Sequence, residues 1–119
     1  MKRSKKTDIE ILTRDSPGTI RYTSQPSYNA TIDDDDVPGA SHAISLPESK
    51  VWENWHTHCL DSTPGLTTWF VDGEKTLSMT FQVLTKPAQV VLNAWSDGDE
   101  GWTGEMTVGG EGVSVCAVD

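Results

Sequence analysis

Two acidic side chains at alternate positions near the N-terminus have the spacing needed for acid–base chemistry. Asp8 and Glu10 lie in the run Asp-Ile-Glu-Ile-Leu-Thr-Arg, whose polar and apolar residues alternate as in a β-strand. Side chains two positions apart on a strand share a face. Lys6 stands one alternate position earlier. The sequence therefore predicts a row of one cation and two carboxylates, although such spacing is also typical of ordinary strand acids on a solvated face.

Two other groups of residues have metal-binding residue types without the matching spacing. His56 and His58 would share a strand face, but no third ligand lies nearby in the sequence. A structural hydrogen-bonding role is favoured for His56. The four consecutive aspartates at 33–36 are not surrounded by EF-hand spacing, which favours a solvated acidic loop over a calcium site. No metal and no cofactor is predicted.

The charge of the chain disfavours two classes of partner. The net charge is −9, from 9 basic and 18 acidic residues. Four of the basic residues lie in the first six positions, so from Thr7 onward the balance is 5 − 18, or −13. Such a surface repels nucleic acid and anionic membranes, and we expect a neutral ligand.

Targeting signals and cysteine usage are uninformative. No stretch approaches the roughly 18–20 apolar residues of a membrane span. The first 30 residues hold no apolar run of signal-peptide length, so the sequence as written predicts no export. Cys59 and Cys116 could pair, but their spacing does not indicate a disulfide framework, and free thiols are favoured.

The elements that would position these residues are short strands. At 119 residues the chain is one domain at most, with no convincing helix. Asp15-Ser16-Pro17-Gly18 is a strong turn signal, and Asp72-Gly73 between β-prone runs predicts a hairpin with a type I′ turn. Strands are predicted over residues 8–14, 19–25, 41–46, 54–61, 67–71, 76–81 and 89–96.

This pattern predicts an all-β fold. Several short strands separated by turn signals are typical of a sandwich or jelly roll. Trp69 and Val71 would share a face, and Trp55 and Trp69 are expected in the core. Six or seven strands are few for a closed two-sheet sandwich. Either one sheet is incomplete or the chain is part of a larger domain, and the second alternative is favoured.

Several short blocks of the sequence occur in an order that is typical of one protein family. The first is Ile9-Glu10-Ile-Leu-Thr-Arg with Tyr22-Thr-Ser-Gln-Pro-Ser. The later blocks are Trp55-His-Thr-His-Cys-Leu-Asp-Ser-Thr-Pro, Thr68-Trp-Phe-Val-Asp-Gly, Val90-Val-Leu-Asn-Ala-Trp, and Trp95-Ser-Asp-Gly with Gly101-Trp-Thr-Gly. In this order they resemble glycoside hydrolase family 16, which has an aromatic-His-Thr-Tyr strand before a Trp-Thr-Pro turn, then a Trp-Tyr-Val-Asp-Gly hairpin and a Leu-Asn-x-Trp strand. The first block looks especially like the fungal secreted members of that family.

The resemblance covers part of a jelly-roll (concanavalin A-like) domain. Residues 7–109 correspond to its second half, whereas the basic head 1–6 and the tail 110–119 have no match. Ser62 stands where the family has a tryptophan before Thr-Pro. The family acts on β-glucans, which makes a β-glucan polysaccharide or oligosaccharide the implied partner. A secreted or cell-wall location is implied in the same way.

The resemblance also implies catalytic roles. The family cleaves or rearranges β-glucans with retention, on a strand that reads Glu-x-Asp-x-Glu. By position, Glu10 matches the acid/base and Asp8 the supporting aspartate, while Lys6 occupies the place of the nucleophile. A retaining glycosidase needs two carboxylates, and a cation opposes the oxocarbenium-like transition state. We expect Lys6 also to lower the pKa of Glu10, and hydrolysis to be negligible.

Four further residues are candidates for substrate binding. Trp95 and Trp102 resemble cleft tryptophans on which sugar rings stack, with core packing as the alternative. Tyr22 and Gln25 follow on the strand expected to neighbour the acidic row, where they would offer hydrogen bonds to sugar hydroxyls. They are equally well explained as ordinary polar strand residues. Three interpretations thus remain: a glycosidase, a non-catalytic β-glucan-binding module, or a non-functional domain fragment with exposed strand edges.

Overall fold

The described part of the chain consists of short strands. In the computed structural model, residues 5–27, 31 and 37–94 are described. A short 3-10 helix, Pro47–Ser49, precedes the fourth strand. The strands are β1 (Lys6–Glu10), β2 (Thr19–Gln25), β3 (Ser41–Ser45), β4 (His58–Thr63), β5 (Leu66–Val71) and β6 (Glu74–Met79).

The strands form two antiparallel sheets of three. The first has the order β1-β2-β3 and the second the order β4-β5-β6, so each sheet is a simple meander. The prediction of an all-β fold is confirmed, and the arrangement is consistent with an incomplete β-sandwich. No helix among the described residues is long and apolar enough to cross a membrane.

The core lies between the two sheets. Ile20 and Tyr22 of β2 and Trp69 and Val71 of β5 are fully buried. The rings of Tyr22 and Trp69 stack with centroids 4.8 Å apart and planes 16° from parallel. Large aromatic side chains dominate the burial energy of small domains. The shared face of Trp69 and Val71 is therefore confirmed, and the stacked pair joins the sheets.

Turn chemistry fixes the hairpins. In the β5–β6 turn, Asp72 has φ 51° and Gly73 has φ 82°. Positive φ at both central residues is what a type I′ turn requires, so the predicted hairpin is confirmed. The register of β5 and β6 then shifts between Trp69 and Phe70, because Phe70 pairs with Lys75 whereas Trp69 pairs with Leu77. Thr76 is the extra residue of this bulge.

Strand boundaries agree with the sequence only in part. The range 19–25 was predicted as β2 has it, whereas β1 begins two residues before the predicted strand and ends at Glu10. The predicted strand over 89–96 is wrong for residues 89–94, which form no strand, while 95 and 96 lie outside the described residues. Val90 is 91% exposed. β-prone residues form a strand only where a neighbouring strand pairs with them.

One tryptophan prediction is also wrong. Trp55 was expected in the core, but it is 89% exposed. It precedes β4, in a stretch with no strand pairing, so the alternation that would turn it inward does not apply. Trp52 packs instead against the core cluster as a partly buried side chain.

Candidate functional site

The predicted row of charged residues lies on β1. Side chains directly opposite on antiparallel strands share a face. The β2 residues opposite the row are at odd-numbered positions, whereas Ile20 and Tyr22, at even-numbered positions of β2, point into the core. The row therefore occupies the outer face of the first sheet. The register sets Lys6 opposite Gln25, Asp8 opposite Thr23, and Glu10 opposite Arg21.

The cation in the row contacts the middle carboxylate. Lys6 Nζ lies 3.5 Å from Asp8 Oδ2, and the side chains are 67% and 21% exposed respectively. An ion pair this accessible to water contributes about 1 kcal/mol at most to stability. Its main effect is on the site, because it places a positive charge beside Asp8.

Gln25 holds Asp8 from the neighbouring strand. Its Nε2 donates to Asp8 Oδ2 at 3.3 Å. Its Oε1 accepts from the backbone N–H and from the hydroxyl of Ser27, at 2.8 and 2.7 Å. Two donors on one side of the amide identify that atom as oxygen and fix the orientation of the group. Gln25 thus lies at the predicted site, where its amide is already engaged with Asp8.

Glu10 has a perturbed acidity. Partial burial raises the pKa of Glu10, and the charge of Asp8 raises it further, whereas Lys6 and Arg21 lower it. The expectation that Lys6 lowers the pKa of Glu10 is confirmed for its own effect, but the pKa as a whole is raised. Loss of hydration outweighs the nearby cations. A carboxyl group that keeps its proton more readily is better suited to act as a general acid.

Arg21 and Asp15 were missed in the sequence. Arg21 Nε and Nη2 donate to the two carboxylate oxygens of Asp15 at 2.8 and 2.9 Å. This bidentate pair lowers the pKa of Asp15 and raises that of Arg21. The guanidinium of Arg21 that faces Glu10 is therefore already paired with the carboxylate of Asp15. The available signal was the hairpin between β1 and β2, which makes Arg21 the cross-strand neighbour of Glu10.

Tyr22 is a core residue rather than a ligand-binding one. Its register partner is Ile9, one position away from both acids, so it lies on the opposite face of the sheet. The side chain is fully buried, and its hydroxyl lies 2.8 Å from Thr76 Oγ1. Burial raises the pKa of Tyr22. A shift of one residue along a strand reverses the face, which is why Tyr22 cannot join the acidic row.

The remaining predicted positions lie elsewhere. Trp95, Trp102, Cys116 and the aspartates at 33–36 lie outside the described residues, and Cys59 is exposed on β4. Within the described ranges no three His, Cys, Asp or Glu side chains are grouped so that they could hold a metal ion. His56 hydrogen-bonds to Asp72 and Val51, which confirms a structural role for it.

Comparison with known proteins adds no relative. A scan against protein-family models, a search of curated proteins and a search of solved structures all find no match. The chemistry that the site can perform therefore has to be judged from its own residues. It offers one carboxyl group with a raised pKa, Glu10, beside a carboxylate paired with a cation. Such a site can donate a proton, but it has no second free carboxylate in the row.

Proposed function

We propose that this chain is a protein of the glycoside hydrolase family 16 type, whose members act on β-glucans, and that Lys6 makes this chain catalytically inactive. Such proteins hydrolyse or transglycosylate O-glycosidic bonds by a retaining mechanism. Glu10 would be the acid/base, Asp8 would support it, and Lys6 occupies the nucleophile position. The observation that carries the proposal is the single outer face shared by these three residues, with the pKa of Glu10 raised.

The expected inactivity follows from the requirement for two carboxylates. A retaining glycosidase forms a glycosyl–enzyme bond through one carboxylate and protonates the leaving oxygen with the other. The ammonium group of Lys6 is cationic near neutral pH, so it opposes the positive charge that develops on the sugar. It is also paired with Asp8. Turnover should therefore be lost even though Glu10 is suited to donate a proton.

Restoring the carboxylate tests the proposal directly. Lys6→Glu should release reducing ends from laminarin or lichenan, whereas the unaltered chain should release none. Lys6→Gln is the matched control, because it removes the cation without supplying a carboxylate, and it should stay inactive. Adding Glu10→Gln to Lys6→Glu should abolish the gained activity by several orders of magnitude. A folded Lys6→Glu protein with no activity on either glucan would contradict the proposed catalytic role.

A second candidate function is β-glucan binding without turnover, with a secreted or cell-wall location implied by the resemblance. The ion pair of Lys6 with Asp8 and the ordered amide of Gln25 favour it, because they form a polar face of low net charge beside the acid. Titration with β-glucan oligosaccharides should quench tryptophan fluorescence, and Trp95→Ala should remove the quenching. A flat titration at millimolar oligosaccharide would argue against binding and leave the non-functional fragment as the remaining alternative.

A further inference from the structure

His56 stands between two hydrogen-bond acceptors. Its Nδ1 lies 2.8 Å from Asp72 Oδ2, and its Nε2 lies 2.7 Å from the carbonyl oxygen of Val51. The side chain of His56 is only 7% exposed, whereas that of Asp72 is 28% exposed. Both ring nitrogens are therefore committed to oxygen atoms of the protein.

A neutral imidazole has only one N–H for these two contacts, and neither acceptor can donate a proton for the other contact. A backbone carbonyl has none, and Asp72 already accepts from Lys50 Nζ at 2.9 Å and from the backbone N–H of Thr57 at 2.8 Å. These donors hold the pKa of Asp72 well below its usual range. A neutral imidazole has a single N–H and would direct a lone pair at one of the two oxygens. The geometry is satisfied on both sides only by the imidazolium form.

The two acceptors lie on segments that contact different sheets. Val51 precedes Trp52, whose backbone N–H donates to the carbonyl of Pro17 at 2.8 Å, in the turn that leads into β2 of the first sheet. Asp72 lies in the β5–β6 turn of the second sheet. Through Val51 and Asp72, the ring of His56 thus connects the turn region of one sheet to the hairpin of the other.

We propose that His56 is a proton-dependent clasp between the two sheets, closed when the ring is protonated and weakened when it is neutral. On protonation both N–H groups donate, one to the β3–β4 connection that is hydrogen-bonded to the turn before β2, and one to the β5–β6 hairpin. On deprotonation one of the two hydrogen bonds is replaced by repulsion between lone pairs. The clasp is independent of the proposed glucan site, which lies on the outer face of the first sheet.

Two charged residues, Asp72 and Lys50, act directly on the ring of His56. The hydrogen bond to the Val51 carbonyl favours the imidazolium most, followed by the hydrogen bond to Asp72 and the charge of Asp72. Burial and the charge of Lys50 oppose it, and the balance raises the pKa of His56. The ring of His58 meets that of His56 edge to face at 6.4 Å. Burial and the charge of His56 lower the pKa of His58, so His58 loses its proton at a lower pH than His56 does. The surrounding titratable groups are Glu48 and Lys50 before β4, His58 on β4, Asp72 in the hairpin turn, and Glu74 on β6.

The sign of the pH effect follows from linkage. A histidine whose pKa is higher in the folded state stabilises the fold fully below its unfolded pKa, about 6.5, and this contribution is lost as the pH rises through the folded pKa. His58, with a lowered pKa, contributes in the opposite sense, so its stabilisation is lost on acidification. The clasp must therefore be measured on His56 itself as well as through overall stability.

Histidine NMR of the whole chain between pH 5 and 9 tests the clasp. One Cε1–H resonance should titrate above 6.5, and it should be the resonance missing from His56→Gln. In Asp72→Asn that pKa should fall, and Asn is a suitable replacement because it tolerates the positive φ at this turn. From pH 6 to 8.5 the urea midpoint of the unaltered chain should fall relative to that of His56→Gln.

Two results would overturn the proposal. The first is a His56 pKa at or below 6.5 in the unaltered chain, and the second is a His56 pKa that does not change in Asp72→Asn. His42→Gln, which alters an exposed histidine on β3, is the control and should leave the His56 titration unchanged. If His56→Gln does not fold, the direct titration in the unaltered chain and in Asp72→Asn still decides the matter.

Discussion

Glu10 is the residue at which burial and charge compete most directly. It is half-buried on β1, and the loss of hydration outweighs the attraction of Lys6 and Arg21 for its ionised form. Its pKa is therefore higher in the folded than in the unfolded chain. By linkage, what Glu10 contributes to stability is fully present below its unfolded pKa, about 4.3, and is lost as the pH rises through the folded pKa.

The stability of a Glu10→Gln variant should reveal this competition. The amide keeps the shape of the protonated acid and removes the cost of a partly buried charge, so we expect a higher urea midpoint at pH 7. The difference should shrink towards zero below about pH 4, where the carboxyl group of the unaltered chain is protonated. Glu53→Gln, at an exposed position before β4, is the control. A lower midpoint at pH 7 would mean that the cations, rather than burial, dominate at Glu10.

For the individual residues of the candidate site, the sequence predicts which side chains share a strand face but not their acidity. The shared face of Lys6, Asp8 and Glu10 follows from the period of two, which needs no tertiary information. The net pKa shift of Glu10 does not follow, because it depends on how much water the packed sheet removes. The prediction that Tyr22 lies beside the acidic row failed for another reason. Its face is set by the register of β2 against β1, and an error of one position reverses that face.

The hairpin of β5 and β6 shows which elements a sequence determines locally. The predicted Asp72-Gly73 turn is confirmed because its demand for positive φ is met by the two residues themselves. The strand predicted over 89–96 is wrong for 89–94, although its residues are β-prone. A ladder needs a second strand, and the chain segment that would pair is a matter of tertiary structure. Local chemistry thus predicts turns better than it predicts unpaired strands.

Replacing Gly73 measures the contribution of the turn. Gly73→Ala should lower the free energy of unfolding by about 1–2 kcal/mol, because an L-residue is strained in the left-handed region. A Cβ at Gly73 meets no atom within 4 Å, so the cost should be conformational rather than steric. Gly18→Ala is the matched control, where the added Cβ lies 3.4 Å from the carbonyl oxygen of Lys50. Equal destabilisation by the two variants in urea would contradict a turn-specific cost.

At the scale of the whole molecule, the two sheets are held together by a small core and by polar contacts at its margin. Tyr22 and Trp69 contribute one stacked ring from each sheet, and the phenol hydroxyl hydrogen-bonds to Thr76 of β6. The sequence indicated that Trp69 would be buried but could not identify its stacking partner, because β2 and β5 are far apart in the chain.

Tryptophan substitutions should separate core from surface. Trp69→Ala should lower the free energy of unfolding by about 3–5 kcal/mol, as truncation of a fully buried aromatic does. Trp55→Ala, at a position 89% exposed, should change it by no more than about 0.5 kcal/mol. Tyr22→Phe should cost about 0.5–1.5 kcal/mol, the usual value of one hydrogen bond. Chemical denaturation followed by circular dichroism measures all three, and a destabilising Trp55→Ala would contradict the described packing.

The bulge in the second sheet has a consequence for how such a chain tolerates changes in length. Thr76 pairs with no residue of β5, so removing it would leave every strand pair of the hairpin intact. Its hydroxyl nevertheless contacts Tyr22 across the core and donates to the carbonyl of Trp69 at 3.1 Å. A one-residue deletion at this point would therefore keep the strand pairing of its own sheet, although the hydrogen bond to the Trp69 carbonyl would be lost. In the opposite sheet, the buried phenol of Tyr22 would lose the hydrogen-bond partner that the structure describes for it.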